Sequence, residues 1–125
     1  MTKKIKLPWL PKSISVDANV ASLVLTINDL PGLSTRSSCG GHKKITNACQ
    51  QKEGSWQVTV DIDRTSYSFD SIELITAAVQ ILDAVGDVLL IPWTEGGPFT
   101  LSFDLSGNGK VSADHLDRQI KKMLK

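Results

Sequence analysis

Little in this chain announces a specialised chemistry, and each shortage excludes something. There are two cysteines, Cys39 and Cys49, and two histidines in 125 residues. A structural zinc site built from two paired ligand clusters is therefore missing its second half. The cysteines are too few to form a disulfide framework, and a chain of this length buries a core without one, so both are read as thiols. Charge of one sign is also missing. Fourteen Lys and Arg against thirteen Asp and Glu leave a formal charge of +1, which gives no overall field to attract nucleic acid or anionic lipid; a polyanion site would have to be a local patch. Long apolar runs are absent too. The longest, Val88 to Ile91, falls far below the roughly 20 residues of a membrane span. The basic start, Met1 to Leu7, is not followed by a signal-peptide core, so the expectation is a cytoplasmic protein with no membrane partner.

What remains is ordinary for a globular protein: 41% apolar and 22% charged, enough for one domain. Residues 1–15 carry Lys3, Lys4, Lys6 and Lys12, with Pro8 and Pro11 around Trp9. Prolines so placed leave little scope for a helix, and the segment reads as an extended basic arm ahead of a single domain over residues 16–125. Val20, Leu23, Val24, Ile27 and Leu30 lie on one helical face. Asp17 is placed to cap that helix, and Pro31-Gly32 ends it, giving a helix over about Ala18 to Asp29. Ser34 to Cys39 reads as a short polar strand. From Trp56 to Ile62 every even position is apolar and every odd one polar, the pattern of a strand with one buried face.

Asp70 and Glu73 form a capping-box pattern ahead of an apolar stripe at Ile72, Ile75, Ala78, Val79, Leu82 and Val85. Val88 to Trp93 and Phe99 to Leu105 read as a hairpin, and Ser112 caps a last helix with a basic outer face. The first six elements therefore repeat a helix-strand-strand unit. Such a doubled unit predicts an α+β fold: a four-stranded antiparallel sheet with helices on one face, a circular permutation of the ferredoxin-like arrangement, plus a C-terminal helix. Ser34 to Cys39 and Val88 to Trp93 would be its opposite edges.

The chemistry-bearing side chains collect at one corner, Arg36-Ser37-Ser38-Cys39-Gly40-Gly41-His42-Lys43-Lys44. Successive glycines allow neighbouring backbone N–H groups to face one anion, with hydroxyls and cations beside them, and all nine residues are candidate ligand-binding residues. A thiolate with an imidazole base would instead suit nucleophilic catalysis, but no third group that orients the histidine is visible. A metal held by Cys39 and His42, with Cys49 as a third ligand and His115 as a distant fourth, is the third reading, and no metal ligand set is assigned. The remaining reading is a tight turn whose glycines serve only the backbone.

Leu30-Pro31-Gly32, then Ser34 to His42, then Gly54-Ser55-Trp56-Gln57-Val58 and the following amphipathic helix, resemble the start of the wybutosine-synthesising family of tRNA methyltransferases. The likeness covers about residues 21–79. Gly40 stands where that family has Ser, and His42 where it has Arg. The resemblance implies a related fold and site location. It carries an alternative function, a tRNA-modifying methyltransferase-like enzyme using Ser38, Cys39 and His42 in an S-adenosylmethionine or tRNA site. The Ser-Cys-x-Gly-His corner after Leu-Pro-Gly is also similar to small proteins of phages and gene cassettes.

A second motif, Asp104 to His115, resembles a calcium loop of the EF-hand or dockerin type. It has oxygen-bearing side chains at positions 1, 3 and 5 and glycine at 6, but His115 stands where a carboxylate should close the coordination sphere. The function expected from the residues is a small binding module that holds an anionic small molecule, a peptide or a protein partner near Cys39 to Lys44. No cofactor is assigned. A homodimer is expected through Val88 to Trp93, because helices on one face of the sheet leave alternate residues of an all-apolar strand facing water. Nucleic acid is possible and not favoured.

Overall fold

A computed structural model describes residues 2–7, 10–42, 53–63, 66–83, 86, 88–94, 101–107 and 110–124. Its elements are β1 (Thr2–Ile5), β2 (Ile14–Asp17), α1 (Ala18–Asp29), β3 (Leu33–Cys39), β4 (Trp56–Ile62), α2 (Ser66–Asp83), β5 (Val88–Thr94), β6 (Leu101–Gly107) and α3 (Ala113–Met123). The sheet has four antiparallel strands in the order β3-β4-β6-β5. This is the order that two helix-strand-strand units give when their second strands meet at the centre, so β3 and β5 are the edges.

The alternation read in β4 sets the two faces of the sheet. Trp56, Val58 and Val60 are buried, and opposite them on β6 stand Leu105 for Val58 and Phe103 for Val60. Each such side chain contributes roughly 1.5 to 3 kcal/mol on burial. α1 packs on β3 and β4, α2 packs on β5, and α3 lies against both helices. Three helices therefore close the core over this face, with Leu116 and Ile120 of α3 fully buried between the other two. The odd positions of β4 carry a polar network on the other face. Thr59 Oγ1 and Gln57 Nε2 donate to Asp104 Oδ1 at 2.6 and 3.0 Å, and Ser102 Oγ donates to Asp61 Oδ1 at 2.6 Å.

The end of α1 follows from three residues. Leu33 N–H donates to Leu30 C=O at 3.3 Å across Pro31-Gly32, and Gly32 has φ +77°. Proline followed by a left-handed glycine is the signature of a type II turn. A Cβ on Gly32 would also stand 2.6 Å from Ser68 Cβ, so the turn packs directly onto α2.

Two expectations are corrected. The segment expected as an extended basic arm, residues 1–15, instead contributes a hairpin to the domain: β1 and β2 pair antiparallel, Thr2 opposite Asp17 and Ile5 opposite Ile14. Ile5 and Leu7 are buried in the core, and β2 crosses the expected boundary to run straight into α1. Pro11 falls between the two strands, where it interrupts no ladder. Lys6 spends its ammonium on closing this connection, donating to the Leu7 and Leu10 carbonyls. The second correction concerns α2, which begins at Ser66 and contains Asp70, so Asp70 does not cap it. Ser71 Oγ donates to Pro31 C=O at 2.6 Å, and this contact with the preceding turn anchors the first turns of α2. Among the described residues no helix is long and apolar enough to cross a membrane.

Candidate functional site

The site lies where β2 becomes α1 and where β3 ends. β3 pairs regularly with β4 from Leu33 opposite Ile62 to Thr35 opposite Val60, then shifts by one residue around Arg36. A regular ladder would set Cys39 opposite Trp56; the irregularity sets it opposite Gln57. Bulges of this kind bend a strand and re-aim the side chains that follow. Asn28 on α1 holds the bend, since Thr35 N–H donates to Asn28 Oδ1 at 3.1 Å and Asn28 Nδ2 donates to Thr35 Oγ1 at 2.8 Å.

Asp17 occupies the N-cap position of α1, yet its side chain makes no cap hydrogen bond. Its Oδ2 instead accepts from Gly40 N–H at 2.7 Å. Asn19, two residues on, donates from Nδ2 to Gly40 C=O at 2.8 Å. Gly40 is thereby held on both sides by the start of α1. Gly41, with φ +95°, then turns the chain so that His42 Nε2 comes 3.5 Å from Asp17 Oδ2. Cys39 is buried, and among the described residues it is in no disulfide. The ligating atoms of Asp17, Cys39 and His42 all lie within 4.8 Å of one another.

These three residues sit on the wall of a cleft of about 520 Å³ between the N-terminal hairpin and β3. Leu7, Leu10, Ile14 and Val16 supply an apolar side, and Ser15, Thr35, Ser37, Ser38 and Arg36 a polar one. The guanidinium of Arg36 grips Asp61 in two places, Nη2 to Oδ1 at 3.0 Å and Nε to Oδ2 at 3.1 Å. The geometry is that of a bidentate, partly exposed pair.

The residues expected at the corner are therefore divided. Arg36, Ser37, Ser38, Cys39 and His42 line the cleft. Gly40 and Gly41 line a smaller hollow of about 290 Å³ with Asn19, Trp56 and Asp114. Lys43 and Lys44 lie outside the described residues, as does Cys49. The expected anion nest is altered by one bond, because the Gly40 N–H already has its anion in the Asp17 carboxylate. Asp17 is the member of this candidate site that the sequence does not reveal. In the sequence it sits before a helix with a good capping pattern, and nothing local marks its partner 23 residues away.

The calcium-like segment has a different use. Asp104 and Ser106 lie within β6, and the Asp104 carboxylate takes its hydrogen bonds from Thr59 and Gln57 across the sheet. An extended strand keeps those positions apart, where a calcium loop must curl around the ion. Ser112 caps α3 as expected, accepting from His115 N–H at 3.1 Å. Among the described residues the group around Cys39 and His42 is completed by Asp17 and does not include His115.

No family model, no curated protein and no solved structure matches the chain. The likeness to the wybutosine-synthesising family accordingly rests on the quoted residues alone.

Proposed function

We propose that the protein is a binding module that holds a small anionic molecule in the cleft between the N-terminal hairpin and β3. The supporting observation is the lining of that cleft: hydroxyls of Thr35, Ser37 and Ser38 with Arg36 and His42 on one side, apolar side chains of the hairpin on the other. Such a surface suits a molecule with a charged end and an apolar body, and about 520 Å³ is within the range of small-ligand sites. Hydroxyl groups can satisfy an anion's lone pairs while Arg36, already paired with Asp61, contributes its remaining field.

The test is a thermal-shift screen with nucleotides, sugar phosphates, aromatic carboxylates and S-adenosylmethionine. A ligand present at 100 times its Kd stabilises the folded state by about 2.7 kcal/mol. A stabilising anion whose effect is lost in Ser37→Val or Ser38→Val supports the reading. Stabilisation by S-adenosylmethionine would shift it to the methyltransferase alternative, and no stabilisation by any anion refutes it. A second copy of the chain is the proposed protein partner, across the edge strand β5, where Leu89 is 56% exposed. Light scattering should give about twice the 13.6 kDa chain mass; a protein that stays monomeric up to ~100 μM sinks this part of the proposal.

A further inference from the structure

We propose that Asp17, Cys39 and His42 form a three-ligand site for a zinc ion whose fourth position opens into the cleft. The first argument is distance. Zinc bonds of about 2.0 to 2.3 Å in tetrahedral geometry set neighbouring ligand atoms about 3.3 to 3.6 Å apart. His42 Nε2 and Asp17 Oδ2 already stand at 3.5 Å, and all three ligand atoms lie within 4.8 Å of one another. Closing that gap takes little more than about 1 Å of side-chain adjustment, within reach of small rotations about χ1 and χ2.

The second argument is the donor set. One thiolate, one imidazole and one carboxylate form a mixture that suits zinc and is a poor match for calcium or magnesium, which require oxygen shells. The third is positioning. The ligands come from two pieces of backbone, the end of β2 and the end of β3 with its glycine corner, and hydrogen bonds independent of any ion hold the two together. Gly40 N–H on Asp17 Oδ2 at 2.7 Å is also the kind of outer hydrogen bond that orients a ligating carboxylate. The fourth is access. All three ligands line the cleft, so a fourth position facing the open space would be filled by water or by a bound anion, as in zinc sites that keep an exchangeable position. This goes beyond the anion reading, because the metal needs no ligand in the cleft.

Full-length protein, reduced and stripped with a chelator, should be titrated with Co²⁺ and its absorption followed, with folding checked by circular dichroism. One equivalent should produce intense visible bands of four-coordinate cobalt together with a near-ultraviolet thiolate-to-cobalt charge-transfer band, and Zn²⁺ should erase both. Cys39→Ser should abolish the charge-transfer band while Cys49→Ser keeps it. His42→Ala and Asp17→Asn should each weaken Co²⁺ binding by at least about tenfold, since loss of mere outer-shell partners costs 10- to 100-fold; Asp17→Asn retains an acceptor for Gly40 and so spares the fold. A folded protein without the charge-transfer band, or a band that depends on Cys49, overturns the proposal. Adding phosphate to the cobalt form tests the cleft separately. A spectrum that ignores phosphate leaves the metal site standing and counts against an anion at the fourth position.

Discussion

Gly40→Ala tests the junction on which both site and fold depend. A Cβ at this position would stand 1.8 Å from Asn19 Oδ1, 2.7 Å from Asn19 Cγ and 2.8 Å from Asp17 Cβ. The Asn19 side chain is exposed and can rotate away, which forfeits its hydrogen bond to the Gly40 carbonyl, about 0.5 to 1.5 kcal/mol. Asp17 Cβ cannot rotate away, because it sits on backbone shared by β2 and α1, and backbone shifts forced by overpacking cost about 1 to 3 kcal/mol. The φ of Gly40 is not in the left-handed region, so alanine returns about 0.4 to 1 kcal/mol by restricting the unfolded chain. The net expectation is a loss of about 1 to 3 kcal/mol. For a chain of this size each kcal/mol moves Tm by roughly 3 to 6 °C. Urea unfolding followed by tryptophan fluorescence measures it. Asn19→Ala alone should cost only its hydrogen bond, and the double variant separates the two contacts: a cost that persists after Asn19 is removed belongs to Asp17. A Gly40→Ala protein as stable as the parent would refute the close approach.

Four further outcomes are expected. Val60→Asp places an unpaired carboxylate at a fully buried position between β4 and the helices, and soluble folded protein should be lost; a normal circular dichroism spectrum would show the face assignment to be wrong. Trp56→Phe removes the indole donor that serves Val111 C=O at 2.8 Å and should cost about 1 to 3 kcal/mol in chemical denaturation, with a cost under about 0.5 kcal/mol counting against that bond. Thr26→Val deletes the hydroxyl that donates to the Asp117 carboxylate, 3% exposed on α3, leaving it only its exposed partner Lys121 at 3.1 Å among the bonds described; a loss of about 1.5 to 3 kcal/mol is expected, larger than for Lys121→Ala, and the reverse order would refute the assignment. Asp17→Ala removes the carboxylate that accepts from Gly40 N–H at 2.7 Å and supplies no cap in its place, so it should cost about 1 to 3 kcal/mol in chemical denaturation, with a cost under about 0.5 kcal/mol counting against that bond.

What was legible in the sequence was whatever depends on neighbours along the chain. The bounds of α1 follow from a helical stripe that ends at Leu30-Pro31-Gly32. The faces of β4 follow from strict alternation, and the sheet order follows from the doubled helix-strand-strand pattern. The misread elements depend on partners far away. β1 and β2 hold each other and bury Ile5 and Leu7 in the core, which prolines at 8 and 11 conceal. α2 starts at Ser66, ahead of its apparent capping box, with Ser71 bonded to a carbonyl 40 residues earlier. The shift in β3 around Arg36 carries no local mark, yet it decides which β4 residue Cys39 faces.

The same distinction explains how a bland corner becomes a site. Cys39, Gly40, Gly41 and His42 supply a thiol, a turn and an imidazole, but no group that fixes the imidazole or complements the thiol. That group arrives from Asp17, and it is free to do so because α1 begins without its side-chain cap. A side-chain cap is worth about 0.5 to 2 kcal/mol; forgoing it is offset by the charge-assisted bond from Gly40 N–H, of similar strength. Stability is thus nearly indifferent to which bond Asp17 makes, while the chemistry is not. As a cap, the Asp17 carboxylate would be turned away from Gly40 and His42. Turned toward Gly40, it completes a carboxylate, thiol and imidazole grouping on the wall of the cleft.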